Sequence, residues 1–403
     1  MLVANMGLFV RVIKLASSIN AVKFAWEPKS QRLKMLDTPT QKKVSNICHL
    51  YKILTIFVVL QASFGYTTIM NGSSSTKIVI AITIPGLLLL NTFVDTCTST
   101  ASEFVLCING FLQFDALYCR ARLKHLNRIK SFMESLNLLF AKLVYISAIL
   151  IPFLMLDGIY WRNPCKPSLI GYWALEQCVG QGEPSKFPSW QWILSSFLKL
   201  SVFLLNHYYW IVGFAIAPVI ISGEMILCTL ALSEYLDTFF FRAKYRISTV
   251  FHNAKVYRFI QLLNLFLNRI LQRVLISFIA EAILLTALSL VAMVRLDWKS
   301  YNMVSLVLAG LLLANSLSFF NISLGGMVGV YTKSAKVLQA ANRIARVGRG
   351  HSQAERKWLM KFYRSCPLLK MRIGYCNFLD GVTPLVCIDV AINLTVQLLL
   401  ITG

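Results

Sequence analysis

Seven apolar runs, each long enough to cross a bilayer, restrict this chain to a bundle of membrane helices. About 20 apolar residues span a hydrocarbon core, and only a helix satisfies every backbone group within such a run. The runs fall at roughly 53–70, 78–97, 140–160, 192–222, 274–294, 301–324 and 382–402. Of the 403 residues, 57% are hydrophobic and 14% charged, where a soluble chain carries about a quarter charged. The expectation is an all-α membrane protein.

The net charge of +23 would point to nucleic acid in a soluble chain. In a membrane chain it reports sidedness instead, and no nucleic-acid partner is expected. With alternate sides assigned from an inside N-terminus, segments 1–52, 98–142, 233–273 and 332–381 hold nine, six, seven and eleven Lys and Arg. The intervening segments 70–77, 160–190 and 295–300 hold one, three and two. Basic residues stay in the cytoplasm, so the N-terminus reads as inside and the C-terminus as outside a plasma membrane. The glycosylation acceptor Asn71-Gly72-Ser73 then lies outside. So do Cys165 and Cys178, which an oxidising exterior allows to pair; the other eight cysteines read as small reduced apolar residues. At the start, MLVANMGLFV precedes Arg11 and Lys14, the reverse of a signal peptide, and reads as a short membrane-surface helix.

The run from Trp190 to Leu232 is too long for one simple crossing. Splitting it would send the basic segments after it to the wrong side, so one long helix continuing into the cytoplasm is expected. Tyr257–Gln272 keeps apolar residues at helical spacing beside Arg258, Arg269 and Arg273, and 98–142 and 335–370 look similar. These pieces predict a helical cytoplasmic base. The chain divides accordingly into a cytoplasmic N-terminal region (1–52), six spans with their connections (53–324), cytoplasmic anchor helices (325–381) and a last span (382–403).

That last span carries Asp389, Asn393 and Gln397 at i, i+4 and i+8, one polar stripe on a helix. Lipid offers such groups no partner, so the stripe must face protein or water. Two readings stand: the wall of a shared aqueous path, or polar glue between neighbouring spans.

Span count, an inside N-terminus, short outside loops and a brief C-terminus resemble the arthropod gustatory receptor family, within the insect odorant and gustatory chemoreceptor superfamily. The likeness is sharpest near the end: Phe362-Tyr363-Arg364-Ser365-Cys366-Pro367-Leu368, then Asn377-Phe378-Leu379-Asp380 and Thr383-Pro384-Leu385. In the family's terminal signature Gln397 matches, while Val390, Ala391 and Leu398 stand where Thr, Tyr and Phe are usual. The resemblance implies a ligand-gated, non-selective cation channel of four subunits, either alike or mixed with related receptors. Its pore is lined by the last helix, which puts the gate at Leu394 and Leu398 beside Gln397. Asp389, further in, either favours cations or pairs with a base lysine or arginine. The resemblance also implies a small-molecule (tastant) pocket in the outer half of the bundle. Residues at that depth are Thr83, Leu87, Phe153, Asp157, Tyr160, Lys199, Phe203, His207, Tyr301, Asn302 and Leu306. A lysine nine residues into a span is expensive unless it snorkels, pairs or meets water; Lys199 and Asp157 either hold a ligand or fix helix register.

No catalytic or metal-binding spacing emerges from the five histidines and ten cysteines, so neither an enzyme nor a cofactor is expected. A secondary transporter remains the alternative, although no internal repeat is found. Pro85-Gly86 and Gly325-Gly326 are the places where its broken helices would fall. A third reading, a seven-span receptor coupled to cytoplasmic partners, requires the C-terminus inside. An epitope tag on the C-terminus should be reached by antibody on unpermeabilised cells; staining only after permeabilisation would overturn the orientation.

Overall fold

Among the described residues two helical rods are far longer than a bilayer is thick, and the other described elements are arranged along them. The computed structural model describes residues 2–18, 22–36, 39, 43, 46, 101–119, 217–245, 250–295, 303–347, 352–374 and 377–402. The spans expected at 53–70, 78–97 and 140–160, and most of 192–222, lie outside these residues.

In chain order the elements are α1 (Leu2–Ser18), a hairpin of β1 (Phe24–Glu27) and β2 (Arg32–Met35), and α2 (Ala101–Phe114), which runs into a π-helical turn at Asp115–Cys119. Next come α3 (Ala217–Tyr245), α4 (Val250–Arg295) and α5 (Met303–Ser318). A π-helical segment, Phe319–Leu324, leads into α6 (Gly325–Val347). The chain finishes with α7 (Gln353–Ser365), a second hairpin of β3 (Arg372–Ile373) and β4 (Asn377–Phe378), and α8 (Thr383–Thr402).

The 46 residues of α4 extend, at 1.5 Å each, about 70 Å, more than twice the ~30 Å hydrocarbon core. Helices α5 and α6 form a second rod of similar reach. Residues Ser318 and Gly325, at the two ends of the π segment, keep right-handed helical angles. Gly325-Gly326 therefore breaks nothing, and no backbone interruption marks the expected division between 324 and 325. Three helices among the described residues are long and apolar enough to cross a membrane, within 254–294, 309–346 and 383–401. In α4 the basic residues Lys255, Arg258, Arg269 and Arg273 precede the apolar run 274–294, whose one charged residue is Glu281, and Arg295 closes the helix.

The basic half holds the core. Tyr235, Tyr257, Phe111, Phe114 and Phe239 are among the largest fully buried side chains, each worth about 1.5–3 kcal/mol relative to exposure. Phe114 meets Tyr235 with ring centroids 4.2 Å apart, and Phe239 meets Tyr257 at 5.2 Å. Phe239 also lies edge-on to Tyr363, so one ring ties α3 to α4 and α7. Burial holds the Tyr363 phenol up at about 12, so it stays neutral and packs as an apolar ring. Helix α3 packs along α6, and α4 along α5 and α8. Across α3 and α6, Lys333 reaches Asp237 at 2.6 Å and Ser233 at 2.8 Å.

The helix expected at the N-terminus forms, but its apolar stripe (Phe9, Val12, Ile13, Ala16) is buried where α1 packs on α3. The first hairpin is docked on α2 by Asn109, whose amide donates to the Leu33 carbonyl and accepts from the Leu33 N–H, both at 2.9 Å. Asn109 thus stands in for a neighbouring strand.

A strap of extended chain, residues 366–373, leads from α7 towards α8, and one face of α4 holds it. The Tyr257 hydroxyl and the Gln261 amide donate to the Pro367 carbonyl at 3.3 and 3.2 Å. Asn268 donates to the Lys370 carbonyl and accepts from the Arg372 N–H, both at 2.8 Å, while Asn264 donates to the same Lys370 carbonyl at 3.4 Å. These side chains stand at i, i+4, i+7 and i+11, the stripe that a helix lines up. From the other side the Ser334 hydroxyl accepts the Leu369 N–H at 3.1 Å. After the strap, Gly374 turns the hairpin with φ +58°, and a Cβ there would also come within 3.0 Å of Ile276. Asn268→Ala would leave the Arg372 N–H without its side-chain acceptor and the Lys370 carbonyl with only the longer bond from Asn264, a loss of about 1–3 kcal/mol. A purified Asn268→Ala protein should show a lower thermal midpoint than wild type. An unchanged midpoint would mean that the strap is not held there.

Candidate functional site

Helix α8 is fastened at its base by a reciprocal pair of side chains. Asp380 Oδ1 accepts from the Thr383 N–H at 2.9 Å, the Thr383 hydroxyl at 2.6 Å and the Val382 N–H at 3.2 Å. Thr383 Oγ1 in turn accepts the Asp380 N–H at 3.2 Å. This is capping-box logic, satisfying N–H groups that the first turn leaves without helical partners. Pro384 costs nothing in that first turn, where its missing N–H has no helical partner anyway. These bonds hold the Asp380 carboxyl below the usual aspartate range, the Thr383 hydroxyl first among them.

Along α8, Cys387, Ala391 and Thr395 are buried, where the helix packs on α4 and the π segment 319–324. Thr395 turns its hydroxyl back onto the Ala391 carbonyl at 2.7 Å, so this face needs no polar partner elsewhere. Asp389, Asn393 and Gln397 each follow one of these buried residues by two positions, or about 200° of rotation. The polar stripe therefore points away from the protein, and all three residues are exposed. The Asn393 amide donates to Asp389 at 3.3 Å. No basic side chain among the described residues pairs with Asp389, so the expected alternative of an ion pair to the base is not realised there. Around the stripe stand Leu385, Val386, Val390, Ile392, Val396, Leu400 and Ile401, with Leu400 as much as 77% exposed.

The two leucines that the resemblance assigns to the gate stand nearer the packed face than the polar stripe does. Leu394 and Leu398 are half-buried and fall within about 60° of the packed face, not on the outward stripe. The cause is the four-residue repeat of the seam with α4: positions three beyond Ala391 and Thr395 land on its edge. Of the expected ligand-pocket residues, Leu306 lies in α5. Thr83, Leu87, Phe153, Asp157, Tyr160, Lys199, Phe203, His207, Tyr301 and Asn302 lie outside the described residues, as do Cys165, Cys178 and Asn71.

Beside the strap, in the basic half, an open cleft of about 1000 Å³ is lined by Arg258, Leu262, Leu265, Lys370, Arg372 and Phe378, among others. Lys370 Nζ lies 4.1 Å over the Phe378 ring, a cation–π contact. Cys366 also borders the cleft, and burial pushes its thiol up to about 11 against the lowering influence of Arg258. The strap-holding residues Tyr257, Gln261, Asn264 and Asn268 were not singled out from the sequence, where that stretch reads as an apolar helix. Their signal was the helical spacing of its polar members.

Solved structures resemble this chain over nearly its whole length, among them two of one receptor. The insect olfactory receptor OR5 from Machilis hrabei superposes with a TM-score of 0.64 at 9% identity, covering 97% of this chain and 97% of that one. The same receptor in complex with eugenol gives 0.53 at 10% identity, over 97% and 98%. No protein-family model and no curated protein sequence matches. At such identity the likeness is one of fold: the chain has the architecture of an insect olfactory receptor.

Because the Asp380 carboxyl is held below its ordinary value, its contribution to stability is present above the ordinary aspartate range and is lost as pH falls through the depressed value. Scanning thermal midpoints from about pH 6 to about pH 3, Asp380→Asn should show a shallower acid-side decline than wild type. Parallel profiles would mean that this carboxylate does not anchor α8.

Proposed function

We propose that this chain is a chemosensory receptor of the gustatory type, working as a ligand-gated, non-selective cation channel opened by a small-molecule tastant. Four subunits, identical or related, surround one axis, with each N-terminus in the cytoplasm, each C-terminus outside and each α8 lining the pore. The observation that carries this reading is the outward polar stripe of α8. Its own subunit covers the opposite face, and lipid cannot satisfy a carboxylate and two amides. Water in a shared conduit can.

The fold supports the same class. The olfactory receptor of like architecture was solved with eugenol, a small organic molecule, and a bundle of this kind offers a comparable ligand a site between spans. The cleft and the exposed Leu262, Leu265 and Phe378 in the basic half suit contact with a second subunit, since apolar patches of that kind mark interfaces. Asp389 gives the conduit a ring of negative charge that favours cations. Leu394 lies about 60° round the helix from Gln397, so a modest rotation of α8 exchanges amide for apolar lining and closes the path by dewetting. The transporter alternative loses its structural cue at Gly325-Gly326, where the helix runs through.

Whole-cell recording during application of sugars, bitter compounds and volatiles tests the proposal. A ligand-evoked cation current reversing near zero is expected, as is its block by an external thiol reagent in Asn393→Cys and Gln397→Cys but not in Ala391→Cys. Leu394→Ala should raise the unliganded leak. Saturable solute uptake without conductance, or cysteines at 393 and 397 that leave the current untouched, would overturn it.

A further inference from the structure

Cys107 on α2, and Glu224 and Cys228 on α3, have no part in the pore or in the strap. All three are fully buried, with 0% exposure. Four residues apart, Glu224 and Cys228 share one face of their helix, and that face meets Cys107: the two Sγ atoms and a Glu224 carboxylate oxygen lie within 4.8 Å of one another. Neither oxygen of Glu224 meets a hydrogen-bond partner of good geometry, and the side chain that faces the carboxyl is the Cys107 thiol. Burying a carboxylate in this state is strongly unfavourable, and a hydrophobic residue of similar volume would serve packing better.

We propose that Cys107, Glu224 and Cys228 bind a zinc ion that pins α2 to α3. Donor atoms on a tetrahedral zinc stand roughly 3.5–3.8 Å apart, so a slight closing of the two helices completes the set. Two thiolates select a soft or borderline cation and reject magnesium and calcium, while the carboxylate favours zinc over copper(I). The thiols release their protons to solvent as the metal binds, and the carboxylate gains the partner it otherwise lacks. Three protein ligands leave the fourth position to water or to an added donor, as in exchangeable zinc sites. The pin would join the helix that carries the N-terminal hairpin, through Asn109, to the one whose Tyr235 and Phe239 build the aromatic core.

The test uses the full-length protein purified in detergent. Elemental analysis should find about one zinc per chain, retained in Cys366→Ser and lost in the Cys107→Ser, Cys228→Ser double variant. Glu224→Gln should weaken zinc at least tenfold in a chelator competition. Because those variants remove buried groups and can misfold, wild-type protein stripped of metal is also titrated with cobalt(II). A thiolate-to-cobalt charge-transfer band saturating at one equivalent supports the site. No stoichiometric zinc, zinc retained in a folded double variant, or cobalt uptake without that band would overturn it.

Discussion

Helix α8 is held to the rest of the molecule by its packed face on α4 and by a few hydrogen bonds to the backbone that leads into it, and its position follows from the two together. Four side chains on one face of α4 hold the strap from Pro367 to Arg372, and the strap delivers the chain to the Asp380–Thr383 turn from which α8 rises. An extended segment has no internal ladder of its own, so every bond it makes must come from a neighbour. Here the neighbour is also the helix against which α8 packs. The attachment and the packed face of α8 therefore share a single rigid partner, and a displacement of α4 is transmitted to both together.

The division of labour along the long rods follows from solvent. In the apolar halves side chains face one another or lipid and little distinguishes one packing from another. In the basic halves an aromatic core forms around Phe114, Tyr235, Phe239 and Tyr257. That core gives the helices a fixed mutual arrangement which a membrane alone would not supply, because lipid tails are as apolar as leucine.

Much of this was legible in the residues. The last span was read as 382–402 and the helix is Thr383–Thr402; the helical nature of 257–272 followed from the spacing of its apolar members. Three features were not legible, each for a physical reason. Gly325-Gly326 looked like a break because glycine weakens an isolated helix, yet packing along α3 overrides propensity there. The strap was hidden because it is held through its own backbone groups, by side chains about a hundred residues away, and backbone carries no side-chain signature. The inward face of α8 was hidden because the seam with α4 sets it, and the residues around Gln397 carry no sign of that contact. Likewise nothing in the spacing of Cys107 and Cys228, on separate helices, announces that they meet.

The π-helical segment between α5 and α6 fits one more residue into its turns than an α-helix would. Everything beyond it is thereby re-phased by about one residue's angular step, near 100°. A single unbroken rod can then show one face to α4 above and a different face to α3 below. Shortening the segment by one residue would restore a uniform twist and swing the whole lower rod, with Lys333 and Ser334, off its present partners. Chain length within Phe319–Leu324 is therefore under tighter constraint than the identity of most of the side chains there.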